Sequence, residues 1–145
     1  MIWKDAAMEK LRRYDAMCQA LSNIPEEISR LKEEVRSVRG ASCDRVYIRG
    51  GGGKREDMLI DNLVQRQELE WNLKRVKRWV AVANRGLAAL LPDEKLILQR
   101  LYLHPEKGAL ERLCNELGVE QSSIYRKRDQ ALQRFTVALY GFAET

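Results

Sequence analysis

Between Asp57 and Leu90, the residues Leu69, Leu73, Val76, Val80, Ala83, Leu87 and Leu90 recur at alternating steps of four and three. This is the spacing of a heptad seam, in which apolar side chains return to one line along an α-helix about every 3.5 residues. The stretch holds no Pro and one late glycine, Gly86, so one helix can run through it. At ~1.5 Å rise per residue it would extend roughly 50 Å. Such a stripe must pack on another helix. The rest of the chain supplies helices rather than strands, because Leu, Arg, Glu, Ala and Lys dominate and only three Pro are present. The expected fold class is all-α.

Upstream, Leu11, Tyr14, Cys18 and Leu21 share one face of a first helix expected from about Trp3 to Leu21. Asn23 and Pro25 interrupt the pattern and restart it, since Pro is tolerated in a first helical turn, where its missing N–H has no intrahelical partner. Ile28, Leu31, Val35 and Val38 carry the second helix. Periodicity is then lost, and the four glycines Gly50 to Gly53 make helix entropically expensive. The expected organisation is an N-terminal helical hairpin at 1–39, a Gly-rich linker at 40–56, a long scaffold helix at 57–91 and a separate domain at 92–145.

That last domain opens with Leu91-Pro92-Asp93-Glu94, a helix start with Pro in the first turn and two carboxylates where the helix dipole favours negative charge. Leu96, Ile97, Leu101 and Tyr102 form its apolar side. Pro105 disfavours helix at His104, and Gly108 closes the connection. The segment Ala109 to Arg128 then has the parts of a helix-turn-helix. Leu110, Leu113 and Leu117 face inward from a short supporting helix, Gly118 supplies the left-handed residue that ends it, and Val119 plugs the turn. A second helix, Gln121 to Tyr140, turns Ile124, Ala131, Leu132 and Phe135 inward. That packing leaves Gln121, Ser122, Tyr125 and Arg126 outward on the first two turns, where a recognition helix meets base edges in the major groove. Ser123, Lys127 and Arg128 flank them, placed for phosphates. An ordinary helical hairpin is the alternative, and the outward cluster Arg126-Lys127-Arg128 argues against it.

The formal net charge of +5 suits a nucleic-acid partner, but 26 cations against 21 anions do not decide the matter. Cys18, Cys43 and Cys114 are odd in number and far apart, and His104 is the only histidine, so neither a disulfide framework nor a zinc site has its ligands. A reduced, cytoplasmic protein without metal or cofactor is expected. No apolar run is long enough for a membrane span, and the charged N-terminus does not resemble an export signal. Asp93 and Glu94 have no His, Ser or Cys partner for acid/base chemistry, so no catalytic residues are assigned. Gly50 to Lys54 fails as a phosphate loop, because Ile48 and Arg55 stand where Gly and Ser or Thr are needed. Arg45, Arg49, Lys54 and Arg55 could reach phosphates from the linker, although a solvated loop explains them as well. The run Lys74, Arg75, Lys77 and Arg78, beside Trp71 and Trp79, is either a second DNA- or polymerase-facing strip or a solvated helix face.

Residues Pro92 to Phe135 resemble the minus-35-reading region 4 of bacterial sigma factors. The resemblance is carried by Leu98-Gln-Arg-Leu-Tyr102, the supporting helix, Gly118-Val119, Ile124-Tyr125 and Ala131-Leu132, about a third of the chain. Lys127 departs from the pattern, standing where that family has an apolar residue. Over its full length the chain is similar to phage-encoded RinA/ArpU-type transcriptional regulators, through Leu21 to Val38, Val46 to Asp61, the long helix and the terminal motif. The resemblance implies a sequence-specific regulator of double-stranded DNA in a phage or prophage, with RNA polymerase as a partner at late promoters. A DNA-recognition packaging subunit of the small-terminase kind and a helical protein-interaction adaptor are the rival readings. A homodimer through the 69–90 seam is expected, unless the N-terminal helices cover that seam within one chain.

Overall fold

The computed structural model describes residues 2–44 and 52–143, with side chains described at 2–39 and 53–143. Every regular element among them is helical, as the composition predicts: α1 (Trp3–Asp44), α2 (Gly52–Ala88), α3 (Pro92–Leu98), a π-helical turn (Gln99–Leu103), α4 (Ala109–Leu117) and α5 (Gln121–Tyr140). No described helix is long and apolar enough to cross a membrane.

The hairpin expected at 1–39 is instead one helix of 42 residues that passes straight through Pro25. A Pro inside a helix removes one backbone hydrogen bond and presses its ring on the carbonyl four residues earlier, at a cost of about 3 kcal/mol. The apolar stripe explains why the helix survives. Leu21, Ile24, Ile28 and Leu31 stay on one face across Pro25, with Ile28 and Leu31 buried and the other two half-buried. Burying such side chains stabilises by roughly 1.5–3 kcal/mol each, enough to outweigh the local defect. Of the linker expected at 40–56, residues 45–51, including Arg45, Arg49, Gly50 and Gly51, lie outside the described residues. Both of its flanks are helical, and α2 starts at Gly52.

The chain divides into two compact units, Gln19–Lys77 and Met1–Cys18 together with Arg78–Thr145. In the first, the later part of α1 and the earlier part of α2 run antiparallel. Asn62 Nδ2 donates to the Leu31 carbonyl at 2.8 Å, and the Arg55 guanidinium donates to the Val38 carbonyl at 3.3 Å. Asn62 is a buried polar residue on an otherwise apolar line, and its Oδ1 accepts from Arg66 Nε at 2.8 Å. With donor and acceptor both used, it favours this register over a slip of one turn, which would strand the amide.

In the second unit, Ala7 and Leu11 of α1, Leu87 of α2, Leu98, Leu103 of the π turn, and Ala131, Leu132 and Phe135 of α5 form one buried cluster. Tyr14 Oη donates to Asn84 Oδ1 at 2.6 Å, and Trp3 stacks on Tyr140 with ring centroids 4.9 Å apart. The π turn accounts for a difference from the sequence expectation. The His104 N–H bonds the Gln99 carbonyl at 2.9 Å, five residues back, and the extra residue rotates the end of the helix. Leu103 is thereby buried in line with Leu98 of α3, both absent from the expected apolar side, while Leu101 and Tyr102 are only half-buried.

The seam at 69–90 is covered within the single chain: Val76, Val80, Ala83 and Leu87 are all buried and Leu69, Leu73 and Leu90 half-buried. This matches the alternative that the spacing left open beside a homodimer, a seam covered within one chain. Gly86 sits on the same side of α2, facing α5. A Cβ at this position would lie 2.7 Å from Phe135 Cε2 and 2.9 Å from Leu139 Cδ2, so only glycine permits this approach.

Two substitutions test these points by denaturant unfolding. Gly86→Ala improves intrinsic helix propensity by up to about 1 kcal/mol yet is expected to destabilise by about 1–3 kcal/mol through the clash with Phe135. A stabilised Gly86→Ala chain contradicts that close approach. Pro25→Ala restores a helical N–H and should stabilise by up to about 3 kcal/mol; an unchanged or lower midpoint contradicts the continuous helix.

Candidate nucleic-acid interface

The α4–α5 pair is held by a small apolar core. Ile97 of α3, Leu113 of α4 and Ile124 of α5 are fully buried against one another, with Leu96, Leu101, Leu110, Cys114, Leu117 and Val119 packed around them. Gly118 adopts φ 65° and ψ 33°, the left-handed conformation that closes α4, and its N–H bonds the Cys114 carbonyl. Val119 N–H bonds the same carbonyl at 3.2 Å, and α5 begins two residues later. A three-residue gap between helices, with Val119 packed against the core, leaves α5 little freedom to rotate.

Along the 20 residues of α5, Ile124, Ala131, Leu132, Phe135 and Thr136 are buried. The Thr136 hydroxyl donates to the Leu132 carbonyl at 2.6 Å, so its burial strands no polar atom. The opposite face of the first two turns carries Gln121, Ser122, Tyr125 and Arg126, all exposed. Two side-chain hydrogen bonds lie on and beside this face. Gln121 Nε2 donates to Tyr125 Oη at 3.3 Å, and the Arg126 guanidinium donates to the hydroxyl of half-buried Ser123 at 3.4 Å.

The three adjacent cations have different surroundings. Arg128 Nη2 lies 3.0 Å from Asp129 Oδ1, and its guanidinium sits 4.9 Å from the centre of the Tyr125 ring. Lys127 does not flank the outward face as the sequence suggested. Its Nζ is 2.8 Å from Asp93 Oδ2 at the start of α3, with both side chains about one-third exposed. Arg126 has no carboxylate partner among the described residues. The nearby cations Arg100 and Arg112 are held by Glu116 at 3.1 Å and Glu106 at 2.8 Å.

Asp93 and Glu94 do more than complement the helix dipole. Asp93 Oδ1 accepts the Glu94 N–H at 2.9 Å while its other oxygen holds Lys127. The Lys127 hydrogen bond, assisted by the Glu94 N–H, keeps the Asp93 carboxyl below its usual pKa despite partial burial. Glu94 is buried. Its Oε1 accepts the Leu91 N–H at 3.0 Å, an N-terminal cap, and lies 3.3 Å from Arg134 Nε, while Oε2 has no hydrogen-bond partner among the described residues. Two carboxylates of α3 thus grip two cations of α5, seven residues apart on its sequence. The sequence signal for this was the pairing of a Lys at an apolar position with acids at a helix start, and the dipole alone had seemed to account for the acids.

The basic strip of α2 divides similarly. Lys74, Arg75, Lys77, Arg78 and Trp71 are exposed, whereas Trp79 is half-buried, with the Lys10 ammonium 4.8 Å and the Arg13 guanidinium 5.9 Å from its ring centre. Burial, and then the charge of Arg13, lower the Lys10 pKa.

Comparison with protein-family models, with curated proteins and with solved structures found no match for this chain.

The Lys127–Asp93 pair makes a pH prediction. The folded pKa of Asp93 lies below its ordinary value of 3.8, so the stabilisation is complete above that value and is lost as pH falls through the folded pKa. For a pair this exposed the contribution is at most about 1 kcal/mol. Asp93→Asn should therefore lower unfolding stability by up to that amount at about pH 7, and the gap to wild type should shrink as the pH is taken below the ordinary carboxyl range. A gap that persists in acid assigns the loss to something other than the ion pair.

Proposed function

We propose that this chain is a sequence-specific DNA-binding protein that lays α5 in the major groove, with Gln121, Ser122, Tyr125 and Arg126 toward base edges. Ser123 and Arg128 lie toward phosphates. Lys127 acts as a positioning residue through Asp93. The observation that most supports this reading is the outward face of the first two turns of α5. It carries amide, hydroxyl, phenol and one guanidinium without a carboxylate partner, on a helix whose rotation is set by a buried core. Gln and Arg are side chains that pair bidentately with adenine and guanine edges. Regulation of transcription in a phage or prophage, with RNA polymerase as partner, extends the proposal on the strength of the sequence resemblance to RinA/ArpU-type regulators.

Preferred sites are selected from a random duplex pool, and affinity is then measured against salt. Affinity should fall about tenfold or more between ~50 and ~200 mM salt, because bound phosphates release counterions. Arg126→Ala should cost about 1–3 kcal/mol on the selected site and relax one base position, whereas Lys107→Ala on the exposed loop should do far less. Lys127→Ala is expected to act mainly on stability. No selected site and no salt-dependent binding would overturn the proposal in favour of a protein-interaction adaptor. Equal losses from Arg126→Ala on specific and random DNA would assign Arg126 to phosphate.

A further inference from the structure

Two cations of α1 meet on one aromatic ring of α2, within the unit Met1–Cys18 and Arg78–Thr145. The Lys10 ammonium lies 4.8 Å and the Arg13 guanidinium 5.9 Å from the centre of the Trp79 ring. The π face attracts each cation but supplies no net negative charge, so two like charges stay side by side without compensation. Neither is ion-paired to a carboxylate among the described residues, whereas Arg100, Arg112, Lys127, Arg128 and Arg134 of the same unit each have one. Lys10 is also half-buried, and that burial, followed by the charge of Arg13, lowers its pKa. Added negative charge would be favoured at such a place.

The surroundings do not restore the balance. Along α1, Trp3, Ala6, Lys10, Arg13 and Met17 follow one another at steps of three and four on a single strip, and none of them is acidic. Glu9 lies one turn before Arg13 but about 100° around the helix from Lys10, and it is ion-paired to neither. Helix α2 carries no carboxylate after Glu70, and exposed Arg78 next to Trp79 adds a further cation. A phosphate group suits this arrangement, since it brings one to two negative charges and several acceptor oxygens that can bridge an ammonium and a planar guanidinium. We propose that Lys10 and Arg13, held on Trp79, form a phosphate-binding site whose ligand is a backbone phosphate of a nucleic-acid duplex, contacted by side chains outside α5. The choice of a duplex over a free phosphate rests on the DNA-binding reading above; the site itself does not. The indole holds both side chains on one surface before the ligand arrives, which lowers the ordering cost of binding. A backbone contact of this kind sets orientation and carries no sequence information.

The test has two arms, both on the full chain. In the first, inorganic phosphate replaces chloride at constant ionic strength while indole fluorescence is followed. Wild-type emission should change with half-saturation at about millimolar phosphate, and Trp79→Phe should remove most of the change. Lys10→Gln and Arg13→Gln should each weaken the response about three- to fivefold, and the double variant should lose it. Lys10→Arg, which keeps the charge, should retain it. Arg12→Gln removes the same charge from another exposed strip of α1 and should behave as wild type. In the second arm, affinity for a non-specific duplex is measured between ~50 and ~200 mM salt. The double variant should reduce the slope of log affinity against log salt by about 1, with Arg12→Gln unchanged. No response to phosphate beyond that to chloride, or an equal loss in Arg12→Gln, overturns the site. A phosphate response with an unchanged salt slope overturns the duplex as ligand and assigns the site to a free phosphate group. A chain that responds to phosphate yet binds no duplex overturns the DNA-binding reading and the duplex as ligand, while upholding the site.

Discussion

Phe135 lies against α2 at Gly86, a position without a side chain. With a Cβ there, the ring would be forced away, and Leu139 with it. The same ring belongs to the cluster formed by Ala7, Leu11, Leu87, Leu98, Leu103, Ala131 and Leu132. The placement of α5 therefore depends on this close approach from behind and on Ile124 against Ile97 and Leu113 nearer its start. Two anchor points about three turns apart fix both the tilt and the rotation of a rigid helix. Once Ile124, Ala131, Leu132 and Phe135 are committed inward, the 3.6-residue period commits Gln121, Ser122, Tyr125 and Arg126 outward.

Electrostatics refine what packing sets. Asp93 and Glu94 cap the start of α3 and reach across to Lys127 and Arg134 of α5, so one acidic dipeptide both starts a helix and ties two helices together. The surface pairs among these contribute little stability individually. Their consequence lies in direction: the cation held by Asp93 is turned toward the start of α3. Of three consecutive cations, Lys127 is paired with Asp93, Arg128 is shared between Asp129 and the Tyr125 ring, and Arg126 bonds only the Ser123 hydroxyl among the described residues. Specific recognition by such a face rests on the placement of a few donors more than on bulk positive charge.

The long helix α2 carries two lines of apolar residues with separate roles. The inward line, pinned by Asn62, is satisfied by the chain itself. The outward line through Ile60, Val64 and Trp71 stays exposed. A heptad seam in a sequence indicates that some helix must cover it, but not whether that helix belongs to the same chain.

The helical character of the chain, the supporting helix, the turn at Gly118 and the helix Gln121–Tyr140 follow from local rules: periodicity, a left-handed glycine and helix-starting residues leave few other solutions. The inward set Ile124, Ala131, Leu132 and Phe135 was legible for the same reason. Four features depended on contacts far apart in sequence. Pro25 is a local stop signal, overruled because the stripe through Leu21, Ile24, Ile28 and Leu31 stays buried on one face. The π turn at Gln99–Leu103 changed which leucines are buried, since an i to i−5 bond has no side-chain signature. Gly86 looked like a tolerated flaw in a helix until Phe135 was found against it. Lys127 belonged, by spacing alone, to a basic cluster, and Asp93, 34 positions earlier, turned it inward. Sequence spacing sets the faces of each helix; which neighbour each face meets is a non-local property, decided only when the helices pack.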